Sequence, residues 1–392
     1  VTGGYYKVFS YAYHPSIAFA VNCVILVSNA ASIAGVALVG GEYITGILMP
    51  LSKDPNWLSV AANAGTVQAI QITIAMAAII LFYGVNLLGL KMSARTQNIL
   101  MVIKIILILL LVTPLFFAPS VTPVVADGVH SGGLVFKEYI KGFGIGLVAV
   151  SFTYGGYQQT INFGAEVDKP QKNIPRGIFF GIMIIILLYL LINYAYINVI
   201  GFTELKSSKN IAAIMASKIF GVNAERILSG FLFLSVLGFV NVNLLSNPRV
   251  MSAMSEDKIL PPAFSKRQRN TGVLVTSLSV FAAMCALIVF WAKEFDTILS
   301  FTIFLDSIGM ALSAGSIFII RKRTAHLNDS GIYMMKMYPL LPIIFIAAYT
   351  FVAISLLINE TRLSLIGLAV LASFIGIYFM VKNLTNDKQT TN

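Results

Sequence analysis

Three features of this sequence can do chemistry, and each sits within strongly apolar surroundings. Two are single ionisable side chains, Lys104 and Asp306. The third is the run Ser151-Phe152-Thr153-Tyr154-Gly155-Gly156-Tyr157-Gln158-Gln159, preceded by Gly142, Gly144 and Gly146. Lys104 lies eight residues beyond Thr96, or about 12 Å at a helical rise of ~1.5 Å per residue. That depth is near the middle of a bilayer, where inserting a cation costs roughly 2.5–3.5 kcal/mol and full snorkelling is strained. An ammonium there either braces neighbouring helices or cycles a proton. The same rise puts Asp306 near mid-membrane, where it can gate, relay protons, pair with Lys104, or stay neutral and hydrogen-bonded. A glycine pair among polar neighbours weakens a helix where no water can satisfy the freed backbone groups. Such a break is tolerated only where it is buried in protein or lines a cavity. Broken helices of this kind aim backbone dipoles at a solute near the midplane. Close helix packing through small residues is the competing reading.

The elements that must hold these groups are membrane-spanning helices. The chain has 392 residues, 57% hydrophobic and only 11% charged, with a mean hydropathy of +0.84. Soluble domains carry about 25% charged residues, so a water-soluble globule is excluded. Apolar stretches of roughly 20 residues recur, each long enough to cross about 30 Å of hydrocarbon as a helix. The short alternating strands of a membrane β-barrel are not the pattern. Ten spans are expected, at roughly 16–48, 64–89, 96–117, 141–166, 175–200, 224–248, 271–292, 297–320, 338–358 and 362–382. A short amphipathic helix is expected at 204–221, and a polar, disordered tail from Asn383. Pro170 should end the span that holds the glycine pair, Asn173 can cap the next, and Pro175 suits its first turn.

The formal charge of +11 invites a nucleic-acid reading, but basic loops held on the cytoplasmic side explain it better. Lys7, Lys91, Arg95, Lys169, Arg176, Arg249, Arg267, Arg321 and Lys382 fall on one side of the ten spans, with the larger share of the basic residues. The positive-inside rule therefore puts both ends of this chain in the cytoplasm. Cys23 and Cys285 sit in apolar stretches, which argues against a disulfide framework or a cysteine metal site. An embedded enzyme would want paired carboxylates, an HExxH motif or a Ser–His pair; His14, His130 and His326 all lie outside the spans, so an enzyme is not expected. No cofactor or metal is implied. The chain does not open with a basic-then-apolar leader, and Val1-Thr2-Gly3-Gly4-Tyr5 reads as the middle of something longer.

Three blocks carry a resemblance. Gly156-Tyr157-Gln158, then Glu166-Val-Asp-Lys-Pro170 and Lys172-Asn-Ile-Pro-Arg176, resembles the sixth-helix signature of bacterial amino acid permeases of the amino acid–polyamine–organocation superfamily. Gly89-Leu-Lys-Met-Ser-Ala-Arg-Thr-Gln97 with Lys104 is similar to the entry of that family's fifth helix. Ser246-Asn-Pro-Arg249 through Ala253-Met-Ser-Glu-Asp-Lys-Ile-Leu-Pro261 is similar to the end of its eighth. The resemblance implies an all-α polytopic fold built on five-helix inverted repeats, with ten of twelve helices present. The first span is then the third helix, and the first helix and most of the second lie upstream of Val1. In that scheme 1–15 is the end of helix 2, 16–117 helices 3–5, and 118–140 an extracellular loop. Residues 141–320 are helices 6–10, and 321–382 helices 11–12.

The function implied is secondary transport of amino acids across the cell membrane by alternating access, in exchange or coupled to protons. The substrate's amino group should meet main-chain carbonyls near Phe152, Thr153, Gly155 and Gly156, with Phe152 as an aromatic lid. Gln158 stands where many relatives have Glu, and Asn29 and Asn243 fall near side-chain contact positions, or else hydrogen-bond between helices. Lys104 stands in for a coupling cation. The resemblance sets Asp306 on the outer substrate path, away from it. Glu166, Arg176 and Arg249 can form an inner gate. Alternatives are a polyamine or organic-cation carrier of the same fold, which would want acidic groups facing the site, and, further off, a channel. Glu42 with Tyr43 reads as an interfacial feature. Lacking half of the site, the chain is expected to fold poorly alone and not to transport.

Overall fold

The computed structural model describes residues 4–48, 64–116, 136–164, 167–208, 211–291, 295–326, 335 and 337–390. Fourteen helices are named here: α1 (Gly4–Ala12), α2 (Pro15–Leu48), α3 (Ala64–Leu87), α4 (Leu90–Val112), α5 (Phe136–Thr153), α6 (Pro170–Ile200) and α7 (Phe202–Ser207). There follow α8 (Ile211–Phe220), α9 (Val222–Ser246), α10 (Pro248–Glu256), α11 (Val275–Trp291), α12 (Phe295–Thr324), α13 (Leu340–Asn359) and α14 (Thr361–Thr390). Among the described residues eight helices are long and apolar enough to cross a membrane, and α11 is a shorter apolar one. Helices suit this solvent because each satisfies its own backbone hydrogen bonds. Their outward side chains are accordingly apolar, as with Ile80, Ile106, Phe180 and Leu187, all more than half exposed.

The ten expected spans all appear as helical segments. Three details differ. Helix α6 begins at Pro170, so Pro175 lies inside it and removes one backbone donor, while the Asn173 side chain donates to the carbonyl of Asp168 at 2.7 Å rather than capping. Residues 136–140, expected in a loop, already belong to α5. The polar stretch from Asn383, expected to be disordered, continues α14 to Thr390, since extending an existing helix needs no new nucleus.

The chain divides into two compact units, each drawn from separate stretches of the sequence, with boundaries inside α2, α6 and α9. One unit holds Val1–Gly35, Val135–Phe179 and Asn243–Asn392. Its apolar core is Val24, Ile303, Phe304, Leu305, Val352 and Leu356, with Phe152 and Leu147 packed against it. Small residues bring its helices close: a Cβ on Gly367 would sit 3.1 Å from Phe304 Cδ1, and one on Gly309 3.7 Å from Ile25 Cδ1. The Lys7–Asp257 ion pair ties α1 to the end of α10.

The other unit holds Val36–Leu134 and Phe180–Val242. Leu107, Leu111, Ile192, Val199, Met215 and Leu228 form its core. Gly41 lets the far half of α2 lie against α3, because a Cβ there would meet the Gln71 backbone at 2.8 Å. A buried polar network locks α3, α4 and α9 of this unit. Asn86 Nδ2 donates to Asn241 Oδ1 at 3.0 Å, and Ser93 Oγ donates to Asn86 Oδ1 at 2.8 Å. Asn241 Nδ2 donates to Gln97 Oε1 at 2.9 Å. Between α3 and α4, Gly89 takes φ +108, a value that favours glycine, and this sharp corner sets Ser93 and Gln97 in register with the network.

Candidate functional site

The break falls where the glycine pair stands. Helix α5 stops at Thr153, and the chain passes through Tyr154–Gly156 before a 3₁₀ segment, Tyr157–Phe163. Gly156 has φ +109 and ψ −29, a left-handed conformation that suits glycine. The helical ladder tightens as it ends: the Gly155 amide donates to Phe152 O at 3.1 Å, while that of Tyr154 still reaches Val150 O at 2.9 Å. Gln158 then caps the break, its Oε1 accepting the Gly156 N–H at 2.7 Å. Thr153 Oγ1 bonds back to Ala149 O at 2.7 Å.

Within the first unit, next to the 3₁₀ segment that follows the break, is a small cavity of about 20 Å³, room for a water molecule, that opens to the outside. Its walls are Tyr5 from α1, Asn22, Ile25 and Asn29 from α2, and Gln158, Gln159 and Asn162 from the 3₁₀ segment. Asn247, Val250, Asp306 and Met310 complete it. Each element brings its polar group by a local device. Ser246-Asn247-Pro248 makes the junction between α9 and α10, with Pro248 at the first position of α10. Asn247 Nδ2 donates to Asn243 O at 2.9 Å, which leaves its Oδ1 to accept Asn29 Nδ2 at 2.6 Å. Asn162 Nδ2 donates to Gln159 Oε1 and to Ser246 Oγ, both at 3.0 Å.

Of the residues singled out from the sequence, this cavity gathers Asn29, Gln158 and Asp306. Phe152 and Thr153 close α5, Gly155 and Gly156 lie in the turn after it, and none of the four is on the cavity wall. Asn243 is buried one turn back from Asn247 and serves it as an acceptor. Asp306 is half-buried, and among the described residues it makes no hydrogen bond or ion pair. Lys104 belongs to the other unit, where it is half-buried and likewise makes neither among the described residues. Arg249 is buried, with its guanidinium 4.5 Å from the Phe163 ring centroid and a hydrogen bond to the carbonyl of Leu245. Arg176 is exposed on α6, and Glu166 lies outside the described residues.

Tyr5, Asn22 and Asn162 were not found from the sequence, and Gln159 only as the last residue of the run that holds the glycine pair. Each is a common residue on an apolar helix or beside a motif, and nothing in its spacing marks it. The one available signal for Asn22 and Asn162 was the cost of an amide in a membrane span.

A family model described as amino acid permease matches residues 1–381. Serine/threonine exchanger SteT of Bacillus subtilis is 31% identical over 241 residues, 60% of this chain and 55% of that protein. Large neutral amino acids transporter small subunit 2 of Mus musculus is 26% identical over the same length, 60% of this chain and 44% of that one. Cationic amino acid transporter 4, vacuolar, of Arabidopsis thaliana is 25% identical over 206 residues, 52% of this chain and 33% of that one. The chain thus spans about half the length of the first two.

Proposed function

Since this chain belongs to the amino acid permease family and is a multi-pass membrane protein, we propose that it carries amino acids across the cell membrane by alternating access. The observation that carries the reading is the helix broken at Tyr154–Gly156, with the 3₁₀ segment after it meeting Asn29 of α2 and Asp306 of α12 around a small cavity. A helix break near mid-membrane lets backbone dipoles serve a zwitterion, whose charged ends need such partners out of water. In this reading the carbonyls around Phe152, Thr153, Gly155 and Gly156 receive the amino group, and Asn29, Gln158 and Asn243 support the site. Similarity to a serine/threonine exchanger supports exchange as the mode.

Lys104 supplies ion coupling by cycling a proton, because an unpaired ammonium is costly at its depth. Arg249 and Arg176, with Glu166, form the inner gate, and both ends of the chain face the cytoplasm.

The test is competable binding of the twenty common amino acids to the purified protein that contains this chain by scintillation proximity, followed by counterflow in proteoliposomes. Saturable binding with saturable counterflow is expected, and Lys104→Gln should flatten the pH dependence of flux. Absence of competable binding for every amino acid would overturn the proposal, and unsaturable flux would make the protein a channel. An organic-cation carrier is the second reading, favoured by one observation: the Asp306 carboxylate faces the cavity.

A further inference from the structure

We infer that the end of α12 and the start of α13, together with the exposed loop that follows α10, form a docking surface for an acidic phospholipid of the surrounding bilayer. The inference goes beyond transport and holds whichever solute is carried.

Helix α12 ends with Arg321, Lys322 and Arg323 in its last turn. The carbonyl end of a helix carries roughly half a negative charge, which offsets only a fraction of three full positive ones. Among the described residues none of the three makes an ion pair. Both arginines are set on aromatic rings instead. The Arg321 guanidinium lies 3.9 Å from the Tyr338 ring centroid, and that ring is 5.5 Å from the Phe318 ring. Arg323 lies 5.7 Å from the Tyr11 ring centroid and donates to the Tyr11 carbonyl. A ring close against a guanidinium holds it in place without using its N–H groups, whose planar fork suits a phosphate. Lys322 is exposed between the two.

The loop after α10 extends the same patch, and α1 connects them. Lys7 pairs with Asp257 at the end of α10, and Tyr11, one turn or about 6 Å along α1, meets Arg323. Beyond Asp257 stand Lys258, Lys266, Arg267 and Arg269, all exposed and none in an ion pair among the described residues. Hydrogen bonds hold this loop in shape. Ser255 Oγ donates to Pro261 O and Ser277 Oγ to Phe264 O, both at 2.7 Å. The Gln268 amide donates to Val273 O at 2.8 Å and closes the turn that carries Arg269. Apart from the paired Asp257, Glu256 is the one acid on these segments.

Basic residues beside a span obey the positive-inside rule wherever they stand. The rule does not ask for arginines stacked on tyrosines, nor for the apolar rim beside them. Met337, Leu340 and Leu341, around Tyr338 at the start of α13, are all exposed. A phospholipid matches both halves, with a phosphate for the guanidinium groups and acyl chains for the aliphatic rim. A free phosphate or a nucleic acid matches only the first.

The experiment is binding of tritiated short-chain phosphatidylglycerol to the purified protein that contains this chain, in neutral detergent. Short-chain phosphatidylcholine, glycerol phosphate and an RNA oligomer are the competitors. Unlabelled phosphatidylglycerol should compete at least about tenfold better than phosphatidylcholine, and high salt should weaken binding by screening. Arg321→Gln combined with Lys322→Gln should weaken it at least about tenfold, since each basic group near the surface contributes about fivefold. The thermal melting point should be kept. A photoactivatable phosphatidylglycerol should label the unmodified protein around Lys322 and Tyr338, a readout that stands even if the double variant fails to fold. Equal competition by phosphatidylcholine overturns the inference, as does undiminished binding in a folded double variant or labelling confined to other segments. Glycerol phosphate competing as well as the lipid would make this a free-phosphate site, and RNA doing so a polyanion surface; either result overturns it.

Discussion

Replacing Gly156 by Ala isolates the backbone term of the helix break from every packing term. Gly156 sits at φ +109, and a Cβ built there meets nothing within 4 Å. The substitution therefore causes no clash and costs only the left-handed conformation, about 1–2 kcal/mol for an L residue. Gly146 is the matched control. It lies inside α5, and a Cβ there also meets nothing within 4 Å. Ala at that position should be neutral or gain roughly 0.5–1 kcal/mol from helix propensity. The two variants should thus separate by about 1–3 kcal/mol, although both add one methyl group to open space. Unfolding in mixed micelles, titrated with sodium dodecyl sulfate and followed by tryptophan fluorescence, reads the difference. Where the strain is relieved by reshaping the turn rather than by unfolding, it appears in ligand affinity instead, about tenfold for each 1.4 kcal/mol. If Gly156→Ala matches Gly146→Ala in both stability and affinity, the break is not a constrained element and the reasoning fails.

Three further outcomes are expected. Asn241→Ala should destabilise by about 2 kcal/mol, because it takes part in several buried hydrogen bonds worth about 0.6 kcal/mol each in membrane proteins. A double-mutant cycle with Asn86→Ala should return a coupling of roughly 0.6–1.7 kcal/mol, and zero coupling would remove the network's role. Gly41→Ala should cost about 1–3 kcal/mol by forcing α2 away from the Gln71 backbone at 2.8 Å, measured by the same micellar unfolding; wild-type stability would refute the close crossing. Reversing charge at Arg249 should abolish counterflow, with reversal at Glu166 restoring part of it; failure of rescue would remove the gate.

Much of the fold is legible in the sequence because a bilayer leaves a chain few choices. An apolar stretch of sufficient length has to be a helix, so the ten spans follow from hydropathy alone. Gly155-Gly156 marks the break, and Pro248 the start of α10, through constraints local to one or two residues. Local rules failed where they competed with continuation: Asn173 was read as a cap, but the helix had already begun at Pro170.

By itself the sequence determined the membrane solvent, the place of ten apolar helical segments, the break at the glycine pair, and Lys104 and Asp306 as its costly ionisable groups. It did not determine which amides share a cavity. Asn22, Asn162 and Asp306 are separated by more than a hundred residues along the chain, and only the packing of α2, the 3₁₀ segment and α12 makes them neighbours. Nor does any local pattern tell an asparagine with all its bonds made, such as Asn241, from one whose carbonyl is left over, such as Asn22. That distinction depends on which donors lie within about 3 Å in three dimensions, a property of the tertiary arrangement alone.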